Sequence, residues 1–350
     1  MKKILIADDS ALVRKQLSEI ISELGYEIDI AKNGAEAVQK ATEQQYDVIT
    51  MDINMPVLDG LSAVERIMQT RPTPILMISS LTTEGANTTM EALDLGAVDY
   101  IAKPGTMNVG REENREEILR KVKSLSRIPP RRLQTIARRQ TRMESTPRES
   151  SKAVPTGGGE IKKILLIGAS TGGPGLIEQI CSSLPAHFPY PVCVVQHMPE
   201  QFTAAFAARL DRASALPVIE SKANMELSPG CIYIARGGVH MHFAKKVSGK
   251  VVVREEKEKN QRFFQPSVDE MFLSALKVFK GDQIIGVLLT GIGDDGADGM
   301  VAIKNGGGFT IGESEETATV YGMPKEAFER GGVTQQLPFP KIVKALSVMH

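Results

Sequence analysis

Five short apolar runs, Ile4 to Ala7, Ile28 to Ala31, Val48 to Met51, Ile75 to Ser79 and Val98 to Ala102, alternate with stretches of helical periodicity. Parallel strands covered by helices on both faces read as near-continuous apolar runs, and crossover helices between them give this rhythm. It restricts residues 2–127 to an α/β fold built on a parallel sheet. The helix signals agree: Ser10 can cap the first helix, Leu17, Ile20, Ile21 and Leu24 give it a buried stripe, and Gly25 can end it.

After Arg127 the rhythm stops. Pro129-Pro130-Arg131-Arg132 opens a stretch rich in Arg, Ser, Thr and Pro that ends in Gly157-Gly158-Gly159, so residues 128–160 read as a flexible basic linker. Within it Leu133 to Arg142 could form a short basic helix, most simply a solvated part of the tether. The alternation resumes at Ile161, with strands expected near 163–167, 192–196 and 284–289 and helices near 174–184, 201–213, 267–279 and 297–305. Segments 231–235, 239–247 and 250–254, with turn residues Arg236-Gly237-Gly238 and Ser248-Gly249 between them, predict an antiparallel β insertion. Two α/β domains are therefore expected, 1–127 and 161–350, the second doubly wound and mostly parallel.

The 350 residues, 42% hydrophobic and 24% charged, suffice for two soluble cores. A formal net charge of zero and the absence of Trp give no global attraction to nucleic acid or to a membrane surface, so neither partner is expected. The apolar stretch after Met1-Lys2-Lys3 ends at Asp8-Asp9, too early for a signal peptide, and no run is long enough to span a bilayer. A cytoplasmic protein without membrane insertion is the expectation. Cys181, Cys193 and Cys231 have no metal-ligand spacing and read as reduced thiols packed in the core.

Asp8 and Asp9 end the first strand and Asp52 ends the third, so all three converge on the carboxyl edge where doubly wound sheets bind ligands. That concentration of negative charge calls for a hard divalent cation such as Mg²⁺, which would leave Asp52 placed to attack a phosphoryl group. Ser79 and Lys103, followed by Pro104, add a hydroxyl and a cation that can contact phosphoryl oxygens. This constellation resembles the receiver domain of bacterial response regulators, a flavodoxin-like (βα)5 fold. Met55-Pro56, Asp59-Gly60 and Tyr100 also fit the pattern. The resemblance implies that Asp52 is the phosphoacceptor, that Asp8, Asp9 and Asp52 hold Mg²⁺, and that Ser79, Lys103 and Tyr100 sense the phosphoryl group.

In the second half, the apolar run Ile164 to Ile167 leads into Gly168-Ala169-Ser170-Thr171-Gly172-Gly173-Pro174. The glycines allow a sharp turn that exposes the Ser170 hydroxyl, and the helix that follows offers backbone N–H groups to an oxyanion. By itself such a turn reads equally well as a phosphate cradle, although the G-x-G-x-x-G spacing of a dinucleotide site is missing. A serine nucleophile needs a base and an orienting carboxylate. His197 follows the strand Val192 to Gln196, and Asp294 and Asp295 follow the strand and Gly-rich turn Leu288 to Gly293, so either aspartate could orient His197 at the same edge.

Ser, His, Asp is not the chain order of the α/β-hydrolases. Gly-Ala-Ser-Thr-Gly-Gly at 168–173, Gln196-His197-Met198-Pro199, Pro266-Ser267-Val268-Asp269 and Thr290 to Gly296 resemble instead the catalytic domain of the CheB family of chemotaxis protein-glutamate methylesterases. The resemblance runs from about 161 to 348, and the order of receiver then esterase fits that family over the whole chain. It implies Ser170 as nucleophile, His197 as general base, Asp295 as orienting aspartate, and Thr171 and Ile292 as oxyanion or substrate contacts. Asp294 stands where Asn is frequent in the family, and Ile292 where Met is frequent. The resemblance further implies hydrolysis of glutamate γ-methyl esters on methyl-accepting chemotaxis receptors and deamidation of receptor glutamines. It also implies a chemotaxis histidine kinase as phosphodonor, control by phosphorylation of Asp52, and no cofactor in the esterase domain. Phe202, Phe206, Phe263 and Phe264 could line a groove for a receptor helix, core packing being the simpler role for most of them.

Overall fold

The computed structural model describes residues 1–80, 82–103, 112–129, 133, 160–257 and 264–349. Pro104, the helix expected over Leu133 to Arg142, the glycines 157–159 and Phe263 therefore lie outside the described residues, Leu133 itself excepted. The chain separates into two compact units, Met1–Thr146 and Pro147–His350.

The first unit runs β1 (Lys3–Ala7), α1 (Ala11–Ser22), β2 (Glu27–Ala31), α2 (Gly34–Glu43), β3 (Val48–Asp52), α3 (Gly60–Thr70), β4 (Ile75–Ser79), α4 (Thr83–Asp94), β5 (Asp99–Ala102) and α5 (Glu112–Leu125). The strands form one parallel sheet in the order β2-β1-β3-β4-β5. Ser10 accepts the Val13 N–H and caps α1, whose Leu17 and Ile21 pack on Ile4 and Ile6 with Ile118 and Val122 of α5. β3 and β4 are buried along their full length, as two-sided coverage requires.

The second unit runs β6 (Ile164–Ala169), α6 (Gly173–Ser183), β7 (Val192–Gln196), α7 (Glu200–Ala213), β8 (Val218–Glu220), β9 (Ile232–Ile234), β10 (His240–Lys245), β11 (Val251–Glu256), α8 (Val268–Leu276), β12 (Ile284–Leu288), α9 (Ala297–Asn305), β13 (Phe309–Glu313), α10 (Met323–Glu329), β14 (Gln335–Leu337) and α11 (Phe339–Ser347). Seven strands make a parallel sheet in the order β14-β13-β12-β6-β7-β9-β8. β10 and β11 form a separate antiparallel ribbon, and its Met241, Phe243, Val251 and Val253 join the core that contains Val268, Met271 and Phe272 of α8.

One expectation is corrected here. The run 231–235 does not belong to the antiparallel insertion; as β9 it pairs in parallel with β7 and β8, because Cys231 to Ala235 are buried on both faces of the main sheet. The three cysteines are buried and none of them forms a disulfide. No helix among the described residues is long and apolar enough to cross a membrane.

Candidate active site

β6, β7 and β12 lie side by side, with Ala169 opposite Gln196 and Gly168 opposite Leu288. This register brings the residues that follow each strand to one edge of the sheet. Ser170 is buried, its N–H donating to the Thr290 carbonyl at 3.0 Å, and the His197 N–H donates to the Ala169 carbonyl at 3.1 Å. Between Ser170 and α6 the chain turns through Gly172 at φ +78°, a left-handed conformation that favours glycine. A Cβ at Gly172 would also stand 2.6 Å from Thr319 Cβ.

His197 Nε2 lies 2.7 Å from Asp295 Oδ2, while its Nδ1 is buried without a hydrogen-bond partner. The ring stacks on Phe264 with centroids 3.9 Å apart and planes 7° from parallel. Asp295 also accepts the Ser267 hydroxyl at 2.7 Å and the N–H groups of Val268 at 2.7 Å and Asp269 at 3.0 Å, at the start of α8. Burial alone would raise its pKa, but the bond to His197, the charge interaction between them and these backbone donors outweigh it and hold the carboxyl at about 2. Asp294 points elsewhere: it is exposed and pairs with Arg330 at 2.7 Å, an arginine that also holds Asp298 at 2.8 Å. Of the two adjacent aspartates, the fold brings Asp295 and not Asp294 to His197. Thr171 and Ile292 are both buried, and the Thr171 carbonyl accepts the Thr290 hydroxyl.

In the first unit Asp8, Asp9, Asp52, Ser79 and Lys103 gather at the carboxyl edge of the five-stranded sheet. The carboxylate oxygens of Asp8, Asp9 and Asp52 lie within 4.8 Å of one another. Lys103 Nζ is 2.7 Å from Asp52 Oδ2 and 3.4 Å from Asp8 Oδ2. Burial, and for Asp8 also the charge of Asp52, pushes both carboxyls above their ordinary range. Partial burial would lower Lys103, yet its bonds to Asp52 and Asp8 prevail and raise it. Three oxygen donors carrying this much uncompensated charge fit a hard divalent cation. The buried Ser79 accepts the Thr89 hydroxyl at 2.6 Å, and the buried Tyr100 ring lies under Lys121 Nζ at 5.2 Å.

A family model described as CheB methylesterase matches residues 165–346, and one described as response regulator receiver domain matches residues 4–113. A curated relative from Carboxydothermus hydrogenoformans, named protein-glutamate methylesterase/protein-glutamine glutaminase 2, is 49% identical over 97% of this chain and 96% of its own. The chain belongs to the CheB methylesterase family. A second relative, from Caldanaerobacter subterraneus subsp. tengcongensis and named protein-glutamate methylesterase/protein-glutamine glutaminase, is 44% identical over 97% of this chain and 94% of its own. The crystal structure of the Thermotoga maritima CheB methylesterase catalytic domain is 41% identical, with a TM-score of 0.51, over 53% of this chain and 97% of that one.

Within this CheB-family site several contacts were beyond sequence reasoning. Ser267 touches Asp295 across 28 positions of sequence, and Gln196 Nε2 donates to the Ser170 carbonyl at 2.9 Å. Ser267 had one available signal, the N-cap pattern of a serine three residues before Glu270, whose N–H it accepts. Arg330 had none.

Proposed function

We propose that the chain hydrolyses glutamate γ-methyl esters on chemoreceptors and deamidates receptor glutamines, using Ser170 as nucleophile, His197 as base and Asp295 as its orienting carboxylate. The observation that carries this reading is the 2.7 Å contact between His197 and Asp295 at the sheet edge from which Ser170 projects.

Asp295 is ionised and can only accept, so His197 Nε2 must be the donor of that bond. Nδ1 is then the basic nitrogen. Ser170 Oγ attacks the ester carbonyl carbon as Nδ1 takes its proton; the C–O bond to methoxide breaks, Nδ1 returns the proton to that oxygen, and methanol leaves. Water then attacks the acyl-enzyme, again giving one proton to Nδ1; the bond to Ser170 Oγ breaks, Ser170 recovers that proton, and the glutamic acid side chain departs and loses its remaining proton to solvent. The backbone at the start of α6 together with the Thr171 and Ile292 N–H groups is the proposed oxyanion site. With a glutamine side chain the same sequence releases ammonia.

Residues 1–127 are proposed as the regulatory receiver, joined through 128–160 to the esterase at 161–350. Asp52 is its phosphoacceptor, a chemotaxis histidine kinase its phosphodonor, and Ser79, Lys103 and Tyr100 respond to the phosphoryl group. Asp8, Asp9 and Asp52 would hold Mg²⁺, which when bound neutralises charge on the incoming phosphoryl oxygens. The cytoplasm is the proposed location.

The test is methanol release from methylated chemoreceptor membranes by the full chain and by Ser170→Ala, each with and without a small phosphodonor and Mg²⁺. Release that needs Ser170 and rises with phosphodonor is the expected result; release that survives Ser170→Ala would remove the mechanism.

A further inference from the structure

The segment Pro266-Ser267-Val268-Asp269 lies outside the proposed chemistry, yet it supplies three of the four donors that hold Asp295. Oδ1 accepts the Ser267 hydroxyl and the Asp269 N–H; Oδ2 accepts the Val268 N–H and His197 Nε2. The carboxylate is thus saturated, and its plane is fixed by the start of α8 rather than by its own loop. Ser267 is itself fixed from behind: its N–H donates to His240 Nδ1 at 3.1 Å, and its hydroxyl oxygen accepts the Glu270 N–H at 3.3 Å. Because a backbone N–H can only donate, His240 Nδ1 is unprotonated in this arrangement. Ser267 and His240 are almost completely buried, so water cannot replace either partner cheaply.

From these contacts we infer that Ser267, held by His240, is a positioning residue for the hydrolysis: it sets the Asp295 carboxylate in the orientation that keeps the His197 proton on Nε2 and leaves Nδ1 available as the proposed base. The inference rests on the proposed role of Ser170, His197 and Asp295. It goes beyond that role by assigning the control of the tautomer to a serine on another element, 28 positions from Asp295 and 70 from His197. The two backbone N–H groups, one on each oxygen, already resist a swing about the Cβ–Cγ bond. The Ser267 hydroxyl on Oδ1 adds the side-chain bond that tightens this restraint, because turning the group would break the Ser267 and His197 bonds along with both backbone bonds.

The experiment uses the full chain labelled with ¹⁵N-histidine. In the wild-type protein the neutral His197 ring, identified by loss of its signals in His197→Gln, should be protonated on Nε2 and bare on Nδ1; a ring protonated on Nδ1 would overturn the inference with no further variant needed. Ser267→Gly removes the hydroxyl but retains most of the helix cap, since glycine at an N-cap costs only about a few tenths of a kcal/mol relative to serine. Loss of one hydrogen bond to a buried charged group predicts a fall in kcat of about ten- to a hundredfold with KM unchanged. A second tautomer should appear in the His197 spectrum, and Ser267→Thr, which restores a hydroxyl, should recover both readouts. Unchanged kcat and an unchanged His197 spectrum in a folded Ser267→Gly protein would reduce Ser267 to a helix cap and overturn the inference, provided Ser170→Ala is inactive in parallel. Activity surviving in Ser170→Ala would instead overturn the proposed mechanism, and the positioning role with it.

Discussion

His197 meets Asp295 through Nε2, at 2.7 Å, although 98 positions separate them in the chain. The side of the ring that is used matters. With Nε2 committed, the nitrogen left for the proposed proton transfer is Nδ1, the one closer to the backbone, so in the proposed mechanism the backbone placement of His197 sets its reach towards Ser170. The His197 N–H bonded to the Ala169 carbonyl ties that backbone to the residue preceding Ser170. The candidate active site is therefore held through main-chain bonds between β6 and β7 as well as by side chains.

The two adjacent aspartates should behave differently. Asp295→Asn keeps the shape but offers an amide N–H where two or more donors converge, so His197 loses its acceptor or flips its tautomer; a fall in kcat of about 10⁴-fold is expected by analogy with other serine triads. Asp294→Asn removes only an exposed ion pair with Arg330 and should change kcat by less than about threefold. Steady-state methanol release from both variants checks this.

Much of the sheet was legible because two-sided burial leaves an unmistakable mark. Ile75 to Ser79, Ile164 to Ala169 and Val192 to Gln196 are apolar runs that no surface strand would carry. The strands that escaped are the edges: Val218–Glu220 and Gln335–Leu337 have three residues each and polar faces, too short for a periodicity to register. Phe309–Glu313 was hidden by its Thr, Gly and Glu; the buried Thr310 is paired with the Thr334 hydroxyl, and the buried Glu313 accepts the Thr317 hydroxyl and the Thr290 N–H. At the site, the strand-end positions of Ser170, His197 and the Asp294-Asp295 pair could be read directly. The choice between the aspartates could not be made from the residues alone, since it depends on Arg330 and Ser267 reaching in from other elements.

Gly172→Ala should destabilise the second unit. A non-glycine residue at φ +78° costs about 1 kcal/mol or more, and the new methyl would collide with Thr319. Denaturant unfolding followed by a probe of this unit should show a loss of about 2 kcal/mol or more. Adding Thr319→Gly should recover the steric part but not the conformational part.

Lys103 stands as counter-charge to Asp8 and Asp52. Lys103→Met should lower the thermal midpoint of the receiver unit in the absence of divalent ions, since the carboxylates are then left to repel one another. Added Mg²⁺ should raise that midpoint more in the variant than in the wild type, because the ammonium no longer competes for the same oxygens. Differential scanning calorimetry with and without Mg²⁺ reads both changes; equal responses of the two proteins would mean that the ammonium and the ion do not share a site.

Asp269 gives the second unit a pH signature of its own. Its carboxyl is buried and accepts the Gly299 N–H at 2.7 Å, but burial, with the charge of Asp295 adding to it, raises its pKa to about 6. The unfolded chain releases this proton near pH 3.8, so between that value and 6 the folded state binds more protons than the unfolded one. Stability from this group is therefore fully present below about pH 4 and is lost as pH rises through 6. Asp295 acts in a different window with the opposite sign: its pKa of about 2 contributes stability that is present above about pH 4 and lost as pH falls towards 2. Because the windows do not overlap, Asp269→Asn isolates one of them. Its amide oxygen can still accept from Gly299, so the melting temperature of this unit at pH 8 should rise, by the equivalent of about 2–3 kcal/mol, and its decline between pH 4 and 6 should flatten. The loss of stability as pH falls from about 4 towards 2, attributed to Asp295, should survive unchanged. A variant that melts in parallel with the wild type across pH 4–8 would show that Asp269 is ionised in the folded chain at no cost.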